Sequence, residues 1–256
     1  MKKVTVILSG GSGSRLWPVS RRTFPKPFME VSGKTLLEHT IDRAKLVSNN
    51  LVIVTNQDHY FLTKDLVDAM GIDMNITYIL EPVGRNTAPA ITLASMIVKE
   101  KFGKDTSCLA LPSDHLIGDL PKFEENVSSA FNECSNGSIV VFGIKPTFPE
   151  TGYGYIEVNE ISNEIQKAKR FIEKPSLDRA NKYLKSEKHF WNSGMFCFSV
   201  KSILNNINIH AKDIHNSSLE THKNVINEDS IYRFDDKIFM NMPDEEVLIM
   251  RLGEIR

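Results

Sequence analysis

In the first half of the chain, short unbroken apolar blocks alternate with longer stretches in which apolar residues recur every three or four positions. The blocks at 4–8, 51–55, 77–80, 108–111 and 139–142 are rich in Val, Ile and Leu and predict strands buried on both faces. The amphipathic stretches at 36–47, 60–70, 88–101 and 123–134 predict helices. Strands and helices alternating in this way imply a mostly parallel sheet covered by helices on both faces. The rhythm changes near residue 150. Residues 152–158 and 168–172 predict two exposed strands joined by a polar turn, and 195–198 a further strand. Trp191, Phe196 and Phe198 are expected in the core. The stretch 207–236, rich in Asn, His and Asp, has weak periodicity and predicts no defined element. The expectation is one mixed α/β domain over 1–256, without internal repeats or a low-complexity linker.

Composition removes several function classes. Lys and Arg number 31 against 32 Asp and Glu, so no global basic field recommends nucleic acid as a partner. No apolar run approaches the length of a membrane span. Three cysteines, Cys108, Cys134 and Cys197, lie far apart without a C-x-x-C pair, which argues against a disulfide framework or structural zinc. A reducing, cytoplasmic setting is expected.

Candidate chemistry begins at the end of the first strand, with Leu8-Ser9-Gly10-Gly11-Ser12-Gly13-Ser14-Arg15-Leu16-Trp17-Pro18. An open α/β sheet binds ligands beyond its strand carboxyl ends. Glycines there let backbone N–H groups approach a phosphate, and Arg15 adds a permanent charge. A dinucleotide fingerprint fails because Leu16 stands where its third glycine belongs. A P-loop ending at Gly33-Lys34-Thr35 fails because Phe28 occupies its first glycine position. A nucleophile elbow at Gly10 to Ser14 fails at its last glycine. Lys26 follows between Pro25 and Pro27, which predict an extended backbone for it and a fixed phosphate contact.

These segments together resemble the signature of nucleotidyltransferases that activate sugar 1-phosphates, and Trp17-Pro18-Val19-Ser20-Arg21 is similar to the mannose-1-phosphate guanylyltransferase branch. Three later segments agree in order: Glu81-Pro82-Val83-Gly84-Arg85-Asn86-Thr87-Ala88-Pro89-Ala90, Leu111-Pro112-Ser113-Asp114-His115, and Phe171-Ile172-Glu173-Lys174-Pro175 with Trp191-Asn192-Ser193-Gly194-Met195-Phe196. The resemblance implies a Rossmann-like, mixed but mostly parallel sheet of the nucleotide-diphospho-sugar transferase type. It implies transfer of GMP from GTP to mannose 1-phosphate, giving GDP-mannose for polysaccharide biosynthesis. Arg15 and Lys26 would act on the phosphates. Leu8, Gly10, Gly11, Gly13, Glu81, Arg85, Asn86 and Thr87 would hold the nucleotide; Gly154, Glu173, Lys174 and Asn192 the sugar phosphate; and Asp114 a Mg²⁺ ion. His115 is read as a local structural residue.

One departure bears on activity. Members of the family continue past 242–244 into an Asp-x-Gly-Trp-x-Asp-x-Gly segment whose second aspartate completes the metal site. Trp17 and Trp191 are the chain's two tryptophans, so that segment is expected to be absent. A C-terminal β-helix and a phosphomannose isomerase domain are expected to be absent with it. The expected consequences are weakened activity and exposed apolar surface that leaves open a homo-oligomer. The alternative is a catalytically impaired sugar-nucleotide-binding protein.

Overall fold

The computed structural model describes residues 2–10, 24–162 and 165–246. In chain order its elements are β1 (Lys3–Ser9), the hairpin β2 (Glu30–Val31) and β3 (Lys34–Thr35), α1 (Leu36–Val47), β4 (Asn50–Asn56), α2 (Tyr60–Ala69), β5 (Asn75–Glu81) and α3 (Thr87–Phe102). Next come β6 (Ser107–Pro112), α4 (Leu120–Cys134), β7 (Val140–Ile144), β8 (Gly154–Val158), β9 (Ala168–Glu173), α5 (Leu177–Ser186) and β10 (His189–Ser199). The last are α6 (Val200–His210), α7 (Lys212–Lys223), β11 (Ile226–Glu228), β12 (Ile231–Arg233) and α8 (Asp236–Phe239).

One sheet runs in the order β11-β12-β5-β4-β1-β6-β10-β8-β9, with β7 also pairing on β10. From β12 to β6 neighbouring strands are parallel. β10 reverses the direction against β6, and β8 and β9 continue antiparallel. The pleat divides the strand side chains between two cores. Val4, Val6, Val52, Val54, Cys108, Ala110, Phe196 and Phe198 face α3, α6 and α7. Ile7, Leu51, Ile53, Leu109, Leu111, Met195 and Cys197 face α1, α2 and α4. Odd and even residues of the same strands thus serve opposite layers, which is why the blocks read as unbroken apolar runs.

Local signals set the helix starts. Thr35 accepts from Glu38 N at 3.1 Å while the Glu38 carboxylate accepts from Thr35 N, a capping box that opens α1. Asp119 accepts from Lys122 N at the start of α4. No helix of the described residues is long and apolar enough to cross a membrane.

Three expectations need correction. Strand β8 is buried from Tyr155 to Val158: it lies between β10 and β9, and Tyr183 of α5 packs against the Tyr155 ring at 5.4 Å. The weakly periodic stretch contains α7, β11 and β12, and α6 and α8 overlap its two ends; these elements bury few residues each, so their polar faces outnumber their apolar ones. Phe196 and Phe198 are core, whereas Trp191 is half-buried and packs edge-on against Phe148 and Tyr153, themselves about half exposed.

Leu109 sits fully buried on β6. Truncation to alanine leaves a cavity between the sheet and the α1, α2 and α4 layer, so Leu109→Ala is expected to lower unfolding stability by about 2–5 kcal/mol. Phe61→Ala, at a side chain 71% exposed, is expected within about 0.5 kcal/mol of the parent. Urea denaturation of both variants measures the contrast.

Candidate active site

The carboxyl ends of β1, β5 and β6 meet at one edge of the sheet because the strands are parallel. Ser113 N donates to Leu8 O at 3.2 Å, which fastens the turn after β6 to the end of β1. Three groupings of polar residues collect there.

The first lies between β1 and β5. Glu81 is the last residue of β5, in register with Asn56 of β4, and only 3% exposed. Its Oε1 has no hydrogen-bond partner among the described residues. A methyl group built on Gly10, the residue after β1, would lie 2.8 Å from Glu81 Oε2, so any larger residue there must displace this buried carboxyl. Burial raises the Glu81 pKa to about 8, with no cation of the described residues offsetting it. After Glu81 the chain turns through Gly84 to Asn86, which caps α3 by accepting from Thr87 N. Asn86 holds φ 64 and ψ −170, a region otherwise almost confined to glycine. Arg85 donates to the Met240 carbonyl, and Ala88 N donates to Glu245 O at 3.0 Å. Backbone from the chain's last described residues therefore braces this loop. Sequence reasoning missed that brace, since carbonyl contacts leave no side-chain signal.

The second grouping is Lys26 with Asp114, Nζ to Oδ2 at 2.7 Å, each about a third exposed. Lys26 opens a single 3-10 turn over Lys26–Phe28, closed by Phe28 N to Pro25 O and Met29 N to Lys26 O, both 3.0 Å. The extended backbone expected for Lys26 is thus not observed. Pro27 has no N–H to place, and the buried ring of Phe28 anchors the turn against α1. His115 Nε2 lies 3.8 Å from Asp114 Oδ1. Burial lowers the His115 pKa, Asp114 opposes this, and Arg43 and Lys26 reinforce it. Arg43 is itself buried, its guanidinium lowered to about 10 by desolvation, with Nη2 donating to Thr40.

The third grouping joins β8, β9 and β10. Gly154 is in register with Glu173, and a methyl group built on Gly154 would lie 2.8 Å from Glu173 Oε2 and 3.6 Å from Asn192 Cβ. Asn192 Oδ1 accepts from Gly194 N at 3.0 Å, while Gly194 holds φ 72 beside Pro112. Lys174 turns through φ 40 and places Nζ 3.2 Å from Glu173 Oε1. Thus Gly10 meets Glu81, Lys26 meets Asp114, and Gly154, Glu173, Lys174 and Asn192 meet one another. Gly11, Gly13 and Arg15 lie outside the described residues.

Chemically, the edge offers a buried carboxyl whose Oε1 has no donor among the described residues, an ammonium–carboxylate pair, and a cluster of polar side chains against a glycine. Among the described residues no three His, Cys, Asp or Glu side chains converge to hold a metal. Asp114 is one hard oxygen donor, which suits Mg²⁺ only where waters and substrate phosphates supply the remaining positions.

Two outcomes follow from the Gly10–Glu81 contact. Gly10→Ala is expected to destabilise by about 1–3 kcal/mol through overpacking, and a double-mutant cycle with Glu81→Ala is expected to recover most of that loss. The raised Glu81 pKa also has a defined sign. The folded state holds the proton that the unfolded chain releases near 4.5, so this group's stabilising effect is lost as pH rises from about 4.5 to about 8. Thermal melts across that window are expected to fall more steeply for the parent than for Glu81→Gln.

The family model described as nucleotidyl transferase matches residues 4–236. An Escherichia coli mannose-1-phosphate guanylyltransferase is 39% identical over 253 residues, covering 95% of this chain and 54% of its own length. A Salmonella typhimurium mannose-1-phosphate guanylyltransferase is 40% identical over 251 residues, with 96% and 52% covered. The chain therefore spans about half the length of the curated relatives it matches. A solved Helicobacter pylori structure, described as mannose-6-phosphate isomerase, superposes with TM-score 0.85 at 29% identity, covering 98% of this chain and 93% of that one. A Thermus thermophilus structure described as mannose-1-phosphate geranyltransferase gives 0.84 at 26%, covering 100% and 73%. Sheet order, the glycine-lined strand ends and the extent of the family match lead to one conclusion: the chain belongs to the nucleotidyl transferase family.

Proposed function

We propose that this chain transfers GMP from GTP to α-D-mannose 1-phosphate, releasing pyrophosphate and forming GDP-mannose for polysaccharide biosynthesis. The observation that carries the reading is Glu81, a buried carboxyl at a strand end with one oxygen unpartnered among the described residues. Guanine presents two adjacent donors, N1–H and the exocyclic N2–H₂, and a carboxylate offers two acceptors in the same plane. Adenine, with an unprotonated N1, does not match that pair. The names carried by the curated relatives support both the base and the sugar.

In this reading a phosphate oxygen of the sugar phosphate attacks the α-phosphorus, and the bond from that phosphorus to the bridging oxygen of pyrophosphate breaks. Lys26 stabilises charge on the transferring phosphate, and Arg15 is assigned the same task. Leu8 and the glycines Gly10, Gly11 and Gly13 bring backbone against the nucleotide. Arg85, Asn86 and Thr87 shape its loop. Glu173 and Asn192 take sugar hydroxyls over Gly154, with Lys174 on the sugar's phosphate. Asp114 would hold Mg²⁺ together with substrate phosphate oxygens and water; bound there, the ion would neutralise charge on the phosphates. Three buried free thiols and the absence of a membrane-length helix among the described residues suit a reducing cytoplasm.

The test is pyrophosphate release with each of GTP, ATP, UTP and dTTP against mannose 1-phosphate and glucose 1-phosphate. Turnover is expected with GTP and mannose 1-phosphate. Lys26→Ala is expected to lower kcat by about 10²–10³ while the melting temperature stays near that of the parent. Glu81→Gln is expected to erode the preference for GTP over ATP. Binding of GDP-mannose without turnover would instead identify a sugar-nucleotide-binding protein.

A further inference from the structure

Glu81 carries a consequence beyond base choice. The carboxyl is enclosed by the end of β1 at Gly10, by β4 at Asn56, and by the turn through Pro82 and Gly84 into α3. Among the described residues, none of these surfaces brings it a cation. Gly10, Asn56, Pro82, Gly84, Asn86 and Thr87 are uncharged. Arg85, the guanidinium nearest along this turn, is directed to the Met240 carbonyl. Asp58 and His59 lie in the turn that follows β4, yet burial is the one cause that moves Glu81 from its ordinary range. The acidic side chains of 244–246 belong to the segment whose backbone caps Ala88, and they bring no positive charge to the carboxyl. A carboxylate here would be a buried charge with one oxygen unpartnered, the arrangement that proteins avoid by keeping the proton.

A guanine edge changes that balance. Were Glu81 to stay a neutral acid, its O–H would face a second donor on the base, and one of the two base donors would be left without an acceptor. Ionised, both oxygens accept. We infer that a guanine nucleotide displaces one proton from Glu81 on binding: the side chain is an acid in the free protein and a carboxylate only when the base supplies donors that its described surroundings do not give Oε1. This rests on the guanine reading given above. In the exchange the Glu81 O–H bond breaks, its proton passes to solvent, and two N–H···O bonds form from N1–H and N2–H₂; the base keeps its own protons and no electrons are transferred.

The magnitude follows from the raised Glu81 pKa of about 8, at which about nine tenths of the free protein carries this proton at pH 7 and about a quarter at pH 8.5. Below pH 8 the apparent affinity for a guanine nucleotide is then expected to rise about tenfold per pH unit, approaching a plateau above it.

GDP-mannose is the probe of choice, because its diphosphate has no ionisation near neutrality that would release protons of its own. Calorimetric titration of the full chain near pH 7 in two buffers of different ionisation enthalpy counts the protons released per ligand bound. About 0.9 proton is expected at pH 7, falling to about 0.25 at pH 8.5. Glu81→Gln, isosteric and unable to ionise, is expected to bind more weakly and to release none. Binding by the parent without proton release, or equal release from Glu81→Gln, overturns the proton exchange and leaves the guanylyltransferase reading standing. Absence of GDP-mannose binding at every pH overturns that reading, and the proton exchange falls with it.

Discussion

Parallel pairing of β1 with both β4 and β6 is the constraint on which the rest of the molecule depends. It forces the carboxyl ends of these strands to one edge, so every loop that leaves them starts within reach of the others. It also buries both faces of β1, so Val4, Val6 and Ile7 must all be apolar, and a helix layer must cover each side. Parallel strands need a crossover between them, and α1, α2, α3 and the segments around them provide it. The polar edge is thus a by-product of the topology that makes the core.

On this edge, close approach is achieved by leaving side chains out. Gly10 lets the β1 backbone lie against the Glu81 carboxyl, and Gly154 does the same for Glu173 and Asn192. The Glu81 carboxyl, pressed against backbone in this manner, loses water and finds no compensating cation among the described residues, which is why its proton is held so strongly. The contrast with Asp114 is physical. Asp114 remains about a third exposed and is already met by the Lys26 ammonium. Two carboxyl groups at one sheet edge therefore have opposite characters, one poised to accept donors and the other already paired with a cation.

The loop between β5 and α3 shows how strain is held in place. Asn86 occupies a backbone region costly for any residue with a side chain. It stays there because its own amide caps α3, Arg85 is tied to the Met240 carbonyl, and Ala88 N is tied to Glu245 O. Those last two contacts come from residues more than 150 positions away in sequence.

The sequence by itself determined the strands and helices of the first half, because buried parallel strands read as apolar runs and their helices carry a 3.6-residue period and clear caps. It also determined which residues are candidates for chemistry, since glycine, proline and the lone charges beside them are unusual at strand ends. The smaller elements after residue 200 were illegible, as helices such as α7 bury only a few side chains and are held mainly by tertiary contacts. Trp191 was misjudged because an aromatic in a strand can face a core or a half-exposed cluster, and composition does not distinguish them. What only the tertiary structure decided was the pairing: that Lys26 meets Asp114, that Gly10 meets Glu81, and that Arg85 turns to a distant carbonyl. Residue type states what a group can do, but its protonation and partners follow from burial and neighbours, which exist only once the chain is folded.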